Sequence, residues 1–207
     1  FFKTLVKILP MLLYVLSVRL RLITMVSEAR SDDGSAFGVK EGIFKKIIFF
    51  NNGYFQSENT LTELDNDELL LHDSLSKLAQ SKVLDITTNP YNLYFLHVRR
   101  GDFIIWPTPN SPAVLPLQWF LEQMELIRDL NAQALFLIFS NDKPYVKEFF
   151  GNLNNIYIID ESEPVEFAMM SLCLGGGILS PSTFAWWAAF LGLQKNPKAC
   201  FLAPKYW

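Results

Sequence analysis

The stretch HVRRGD at residues 97–102 places one histidine, two adjacent arginines and one aspartate directly after an apolar, strand-like run. A guanidinium presents a planar set of donors that fits phosphate oxygens, and each charge-assisted hydrogen bond contributes about 1.5–3 kcal/mol. If strand geometry continues to residue 100, alternation puts His97 and Arg99 on one face and Arg100 on the other. One arginine is then free for a phosphate ligand.

A second interpretation makes the same stretch structural. Both arginines can lie on the solvated rim of a sheet in surface ion pairs, which contribute under about 1 kcal/mol each. Gly101 allows the backbone to turn tightly, so Asp102 or another acid could hold Arg100. The residues alone leave the two interpretations open.

The stretch SPSTFAWWAAFLG at residues 180–192 follows a short apolar run and opens an apolar helix. Ser182 or Thr183 is expected to be its N-cap. The unpaired N–H groups and partial positive charge of a helix start can hold a second phosphate oxygen. The alternative is an ordinary cap with no ligand, with Trp186 and Trp187 filling core.

Two further positions have a ligand and a structural interpretation. The carboxylate of Glu166, on the helix before that short strand, could accept two N–H bonds from a purine, or it could be solvated. Asn141 and Asp142 end the strand FLIFS and begin the next helix, where a cap is expected and a ligand contact is possible.

The elements that must position these residues are read from the apolar runs beyond residue 90. YNLYFLHV, ALFLIFS, NIYIID, GILS and ACFLAP alternate with helix-like segments near 116–130, 143–150, 163–174 and 183–193. Such alternation predicts a parallel sheet covered by helices on both faces. Ligands of open α/β sheets bind past the carboxyl ends of strands, where HVRRGD lies.

The N-terminal part is less regular. Residues 10–18 predict a buried helix too short to span a membrane, residues 27–42 a polar loop, 45–50 a strand and 64–82 an amphipathic helix. Asn89 and Pro90 break the chain. We therefore expect a domain boundary there, with a partial N-terminal domain at 1–90 and a second domain at 91–207.

Composition excludes several classes of protein. The net charge of −3, with 18 basic and 21 acidic residues scattered along 207, argues against a nucleic-acid surface. The two cysteines, Cys173 and Cys200, make no disulfide framework and lack metal-ligand spacing with the two histidines.

With HVRRGDF, IFSND, EFAMMSLC, STFAWWAAFL and APKYW in this order, residues 50–207 resemble the α-1,2-fucosyltransferases of glycosyltransferase family 11. The resemblance implies a GT-B-like α/β fold with Rossmann-type domains and a GDP-fucose donor. It makes residues 1–90 the remainder of an acceptor-side domain and residues 91–207 the nucleotide-sugar-binding domain. It also implies inverting transfer to the 2-hydroxyl of a terminal galactose on a glycan, with no metal or other cofactor.

The resemblance also implies roles for individual residues. The motif that contains Arg100 grips the donor, with His97 at the guanine and Arg99 at the β-phosphate. Asp102 is a candidate general base, beside a base from elsewhere in the protein or a water relay. Glu166 takes the position of the guanine-binding carboxylate, and the diphosphate is lined by Ser182, Thr183 and Phe184.

The sequence departs from the family pattern at several places. Glu166 stands where aspartate is usual, Pro181 where asparagine is usual, and three glycines at 175–177 near a usual His-Asn. No GGLGNQ-like segment is present, so we expect a truncated chain. The alternatives are an inactive relative that only binds nucleotide or glycan, and transfer of fucose to protein hydroxyls or another sugar position. The expected location is the Golgi lumen, through a membrane anchor absent from this chain, or the cytoplasm if the protein is bacterial.

Overall fold

The chain forms two compact units, Phe1–Leu64 and Asp65–Trp207. A computed structural model describes residues 23–31, 34–40, 43–51 and 71–205. The helix predicted at residues 10–18 lies outside these ranges. Within them, no helix has the length and apolar character needed to cross a membrane.

The described part of the first unit is a three-stranded sheet. Strand β1 (Ile23–Ser31) pairs antiparallel with β2 (Gly34–Lys40) and parallel with β3 (Phe44–Asn51). The strand predicted at 45–50 is confirmed, but the loop predicted at 27–42 is wrong. Strand ladders are made by backbone N–H and C=O groups, so a polar, Gly- and Ser-containing sequence can still pair.

The strands of the second unit are β4 (Leu93–Val98), β5 (Pro107–Thr108), β6 (Ser111–Pro112), β7 (Leu135–Ser140), β8 (Ile156–Ile158), β9 (Gly176–Ile178) and β10 (Cys200–Leu202). Five of them form one sheet in the order β10-β9-β4-β7-β8, and every pair in it is parallel. The chain runs outward from β4 to β8, then returns to the other side of β4 for β9 and β10. This strand order is that of a Rossmann-type doubly wound fold and confirms the predicted α/β class. A two-stranded hairpin, β5 with β6, follows β4.

Helices cover both faces of this sheet. One core contains the even-numbered β4 residues and the helices at Leu117–Leu130 and Lys143–Phe150. The other contains the odd-numbered β4 residues and the helices at Asp73–Leu84, Glu163–Met170 and Thr183–Lys195. Short 3₁₀ turns lie at Pro90–Asn92 and Gly101–Ile104. The helices are α1 (Asp73–Leu84), α2 (Leu117–Leu130), α3 (Lys143–Phe150), α4 (Glu163–Met170) and α5 (Thr183–Lys195).

Helix α1 belongs to the second unit. It packs on α4 and buries Ala79 and Val83 in the same core as Leu93 and Phe95 of β4. Sequence analysis had placed this helix on the N-terminal side of a boundary at residue 90. The assignment of residues 1–90 to an acceptor-side domain stays a prediction.

The three glycines at 175–177 let β9 lie close to its neighbours. A Cβ on Gly177 would come 2.8 Å from the ring of Phe95, and one on Gly176 only 1.8 Å from the carbonyl oxygen of Cys200. Gly176 also has φ +134, a conformation that favours glycine. This departure from the family pattern therefore has a packing reason. Both cysteines are free thiols.

Candidate functional site

The sheet reverses its winding between β4 and β9, which makes the carboxyl ends of these two strands the expected ligand crevice. The arginine motif directly follows β4. Ser180 lies two residues past the end of β9, and α5 begins three residues further on, after its N-cap Ser182. The fold thus places the stretches HVRRGD and SPSTFAWWAAFLG on the two sides of the point where the winding reverses, which we call the switch point.

Ser180 joins the two sides. Its buried hydroxyl donates to the His97 carbonyl at 2.7 Å and accepts from the Arg99 amide at 3.0 Å. Its own amide donates to the same His97 carbonyl at 3.2 Å. The backbone on both sides of Val98 is therefore fixed from β9.

A second serine makes the equivalent link on the β7 side. The buried hydroxyl of Ser140 donates to the Val98 carbonyl at 2.7 Å and accepts from the Asp142 amide at 3.0 Å. Asn141 Oδ1 accepts from the Arg100 amide at 2.9 Å. Gly101, with φ +33, lies so close that a Cβ there would be 2.2 Å from Asn141 Nδ2. The arginine turn is thus held from both neighbouring strands.

The side chain of Arg99 contacts residues of its own turn. Its Nη2 donates to Asp102 Oδ1 at 2.7 Å, and its Cζ lies 5.4 Å from the centre of the Phe103 ring. Of the two possibilities that the sequence left open for Arg100, Asp102 is excluded, because the Gly101 turn brings Asp102 back toward Arg99. The other possibility, a different acid, is confirmed by Asp142. Asp102 is an exposed partner, so the guanidinium stays accessible from solvent.

Arg100 is held on the opposite face. Its Nε donates to Asp142 Oδ2 at 3.0 Å, and its Cζ lies 3.6 Å from the centre of the Tyr145 ring. Asp142 also caps α3, since its Oδ1 accepts from the Tyr145 amide at 3.2 Å. The expected cap is confirmed, and these contacts make Arg100 a structural link between β4 and α3.

His97 is buried beside α5, with its ring centre 5.8 Å from that of Phe184. Burial, and secondly the nearby charge of Arg99, lower the pKa of His97 to about 3. The imidazole is therefore neutral at physiological pH. Its buried Nδ1 has no hydrogen-bond partner within the part of the chain that the structure describes. A buried polar atom without a partner is uncommon, and a ligand group is one way to satisfy it.

The start of α5 has the expected position and one of the two expected N-cap residues, but no capping hydrogen bond from its side chain. Ser182 is the N-cap residue, and its carbonyl accepts from the Trp186 amide at 3.0 Å. Its hydroxyl makes no capping hydrogen bond. The amides of the first turn therefore keep their donor capacity. Thr183 is exposed and Phe184 half-buried at this end of the helix.

Glu166 has partners within the protein. Its Oε1 accepts from Lys143 Nζ at 2.5 Å and from the Glu161 amide at 3.3 Å, and its side chain is almost fully buried. The interpretation as a solvated helix residue is wrong, because this face of α4 turns toward Lys143 at the start of α3. Its role at the guanine stays a prediction.

The structure therefore brings some of the predicted site residues together. Arg99 pairs with Asp102, and His97 lies beside Phe184. Arg100 pairs instead with Asp142, and Glu166 with Lys143. Sequence analysis missed Ser140, Ser180 and Lys143. A signal existed for the two serines, since each follows an apolar strand at the same edge of the sheet. Within the described ranges, no group of three or more His, Cys, Asp and Glu side chains is arranged to hold a metal ion.

Comparison with known proteins supplies the family. The sequence model of glycosyl transferase family 11 matches residues 34–205, which is most of the chain. The chain belongs to glycosyl transferase family 11. The family resemblance inferred from the motifs is therefore confirmed. No solved structure matches significantly.

Individual relatives of this family 11 protein are bacterial and mammalian. It is 29% identical over 121 residues to the O-antigen biosynthesis glycosyltransferase WbnK of Escherichia coli, covering 56% of this chain and 39% of the relative. It is 27% identical over 183 residues to galactoside alpha-(1,2)-fucosyltransferase 1 of Gorilla gorilla gorilla, covering 83% and 48%. The human protein of that name is 28% identical over 142 residues, covering 63% and 39%. The matched region thus spans less than half the length of each relative.

Proposed function

We propose that the protein transfers L-fucose from GDP-fucose to the 2-hydroxyl of a terminal galactose, with inversion and without a required metal. The donor and acceptor classes come from the family and from the names of the mammalian relatives. The observation that carries the proposal is the hydrogen bond from the Arg99 amide to Ser180, because Ser180 lies two residues before Ser182, the N-cap residue of α5, whose side chain makes no capping bond.

Arg99 supplies charge where the reaction needs it. As the bond to fucose breaks, negative charge accumulates on the departing diphosphate. A fixed guanidinium and the amides at the start of α5 stabilise that charge without reorganising. Arg99 meets this requirement because the Ser180 hydrogen bond fixes its backbone while its side chain remains about one-third exposed.

The ion pair with Asp102 must open when the diphosphate binds. It is an exposed pair, and such pairs contribute under about 1 kcal/mol, so a doubly charged phosphate group displaces the carboxylate readily. The displaced carboxylate of Asp102 then lies next to the reacting sugar. This sequence of contacts supports Asp102 as the general base that takes the proton of the acceptor hydroxyl.

His97 and Glu166 are the proposed guanine contacts. The neutral imidazole of His97 has an unpaired Nδ1, which can accept from or donate to the base, depending on its tautomer. Glu166 presents a carboxylate, but Lys143 already occupies one of its oxygens. Guanine must therefore share Glu166 with Lys143 or use the other oxygen.

Arg99→Ala tests the proposal, with Arg128→Ala as a matched control. Arg128 forms the same kind of i,i+3 ion pair, with Glu125, and the two pairs have similar side-chain exposure, 30%/66% against 34%/60% for Arg99 and Asp102. The intact protein is incubated with GDP-fucose and a panel of β-galactosides, and the products are weighed by mass spectrometry. We expect Arg99→Ala to lower transfer about 10²–10³-fold and Arg128→Ala to leave it unchanged.

Two results would overturn the proposal. Near-normal transfer by Arg99→Ala would show that transfer does not need Arg99, the residue on which the proposal depends. An unmutated protein that binds GDP but transfers no fucose to any β-galactoside supports the non-catalytic alternative.

We also propose the Golgi lumen as the location. The alignment with the gorilla relative covers 83% of the chain, against 56% for the bacterial one, which favours an animal-like setting. Imaging the tagged intact protein with a Golgi marker checks this. A diffuse cytoplasmic signal contradicts it.

A further inference from the structure

Three large apolar side chains stand exposed in the loop after the arginine motif. Ile104, Ile105 and Trp106 are consecutive, and Trp106 alone leaves 55% of its surface in solvent. Within the part of the chain that the structure describes, neither buried cluster includes this loop. Contiguous exposed apolar groups beside a crevice commonly mark a binding surface.

The loop is closed by its own hydrogen bonds. The Ala113 amide donates to the carbonyls of both Phe103 and Trp106, at 3.2 and 2.7 Å. The Trp106 amide in turn donates to the Asp102 carbonyl at 3.1 Å. Beyond Trp106, strands β5 and β6 pair as a hairpin. The aromatic side chain is thus presented on a preformed support, which lowers the entropy lost on binding.

The exposed ring of Trp106 is connected through Phe103 to Arg99, the proposed phosphate contact. The ring centres of Phe103 and Trp106 are 5.3 Å apart, and the other side of this contact leads to Arg99, whose Cζ lies 5.4 Å from the Phe103 ring. One aromatic ring therefore separates Trp106 from Arg99. A group bound on Trp106 lies beside whatever Arg99 holds.

We propose that Trp106, with the hairpin that supports it, forms the binding subsite for the acceptor sugar, a β-galactoside. This inference rests on the proposed function. A pyranose ring has an apolar face of C–H groups that packs flat on an aromatic ring, and the indole N–H can bond a sugar hydroxyl. The acceptor hydroxyl must come within about 3–3.5 Å of the fucose carbon, so its sugar has to bind next to the donor diphosphate.

A membrane surface is the main rival occupant of this loop. Interfacial aromatic loops bind lipid together with lysine or arginine, which contact anionic head groups. Residues 103–112, FIIWPTPNSP, contain no lysine or arginine. The two arginines before the loop, Arg99 and Arg100, are each paired with a carboxylate, Asp102 and Asp142 respectively. The local charge therefore favours a neutral sugar.

The test compares Trp106→Ala and Trp106→Tyr with Tyr91→Ala in the intact protein. Tyr91 is equally exposed, at 56%, but precedes β4 at the other end of the strand. Initial rates give the KM for methyl β-galactoside and for GDP-fucose, and hydrolysis of GDP-fucose without acceptor is measured separately. Thermal unfolding checks that each variant is folded.

We expect Trp106→Ala to raise the acceptor KM about tenfold while the KM for GDP-fucose and its hydrolysis stay unchanged. Trp106→Tyr should retain most of the acceptor affinity because it keeps an aromatic face, and Tyr91→Ala should match the unmutated protein. An acceptor KM within twofold of normal in Trp106→Ala overturns the inference. Pelleting with vesicles of anionic lipid that depends on Trp106 also overturns it, in favour of a membrane.

Failure of the proposed function is distinguishable from failure of this inference. If the unmutated protein consumes no GDP-fucose, the proposed reaction is wrong, and saturation-transfer NMR with methyl β-galactoside alone decides the subsite. Binding that Trp106→Ala abolishes and Tyr91→Ala retains supports the acceptor-sugar subsite at Trp106. Absence of binding, or binding unaffected by Trp106→Ala, contradicts it.

Discussion

Ser180 and Arg99, which are 81 positions apart in the chain, are joined by a hydrogen bond of 3.0 Å from the Arg99 amide to the Ser180 hydroxyl. The same hydroxyl donates to the His97 carbonyl. One buried side chain on the β9 side therefore fixes the backbone that carries both proposed donor contacts. The direction of the guanidinium depends on the registry of β4 with β9.

Ser180→Ala should lower both stability and GDP affinity. It removes two hydrogen bonds and leaves the Arg99 amide without its partner, at a cost of about 1–3 kcal/mol. Because the same change loosens the turn, GDP should bind about tenfold more weakly. Urea unfolding and calorimetric titration with GDP measure the two effects.

Ser171→Ala is the matched control for Ser180→Ala. Ser171 is also buried, and its hydroxyl donates to the Ala168 carbonyl at 2.8 Å and bonds Lys195 at 3.1 Å, away from the switch point. It should lose stability and keep GDP affinity. Equal GDP affinity in both variants would show that Ser180 acts on stability alone.

The sequence predicts the second unit well because its strands are buried on both faces and so are continuously apolar. FLIFS and FLHV are recognisable without any knowledge of their neighbours. The turn residues Gly101 and Asp142 were also recognisable, because tight turns and helix caps depend on local geometry. Helix α1 was recognised as a helix, but its place in the second core depends on α4, far along the chain.

The partners of the charged residues were not predictable. Asp142 lies 42 positions from Arg100, and Lys143 lies 23 from Glu166. Such pairs depend on how neighbouring strands align, which no local pattern records. Distance along the chain favoured Asp102 as a partner of Arg100, but the turn at Gly101 reverses the chain and gives Asp102 to Arg99.

His97 predicts a specific dependence of stability on pH. Its pKa is about 3 in the folded protein and 6.5 ordinarily, so the unfolded chain binds an extra proton between these values. The free energy of unfolding therefore falls as the pH is lowered through this window. For one group the slope approaches about 1.4 kcal/mol per pH unit.

His97→Gln should remove that part of the slope. Urea unfolding at intervals from pH 7 to about pH 4 gives the free energy of unfolding for each variant. The difference from the unmutated protein should shrink steadily as the pH falls below 6.5. His72→Gln, which leaves His97 in place, should keep the original slope. Parallel pH profiles for His97→Gln and the unmutated protein would contradict a buried neutral imidazole.

Glu166→Gln separates a guanine contact from a structural ion pair. The amide keeps the shape of the side chain but loses the charge that pairs with Lys143 and would accept two N–H groups of guanine. We expect GDP affinity to fall about tenfold while the weaker ADP affinity changes little. Calorimetric titration with both nucleotides measures the ratio.

Glu163→Gln is the control for Glu166→Gln, because Glu163 lies in the same first turn of α4 but is exposed. Its ratio of GDP to ADP affinity should equal that of the unmutated protein. An unchanged ratio in Glu166→Gln, accompanied by lower stability, would assign Glu166 to the Lys143 pair and leave guanine recognition to other residues.

Gly101→Ala should destabilise the arginine turn, and removal of Asn141 should relieve part of the damage. An added Cβ strains the φ of +33 and meets Asn141 Nδ2 at 2.2 Å, so Asn141 must leave the Arg100 amide. We expect a loss of about 1–3 kcal/mol in stability, with reduced fucosyl transfer.

Asn141→Ala alone loses the hydrogen bond to the Arg100 amide, at about 1 kcal/mol. The double variant loses that bond only once and has no clash, so its destabilisation should be smaller than the sum of the two by at least about 0.5 kcal/mol. Urea unfolding of all four proteins closes the cycle, and strict additivity would show that the two side-chain positions do not interact.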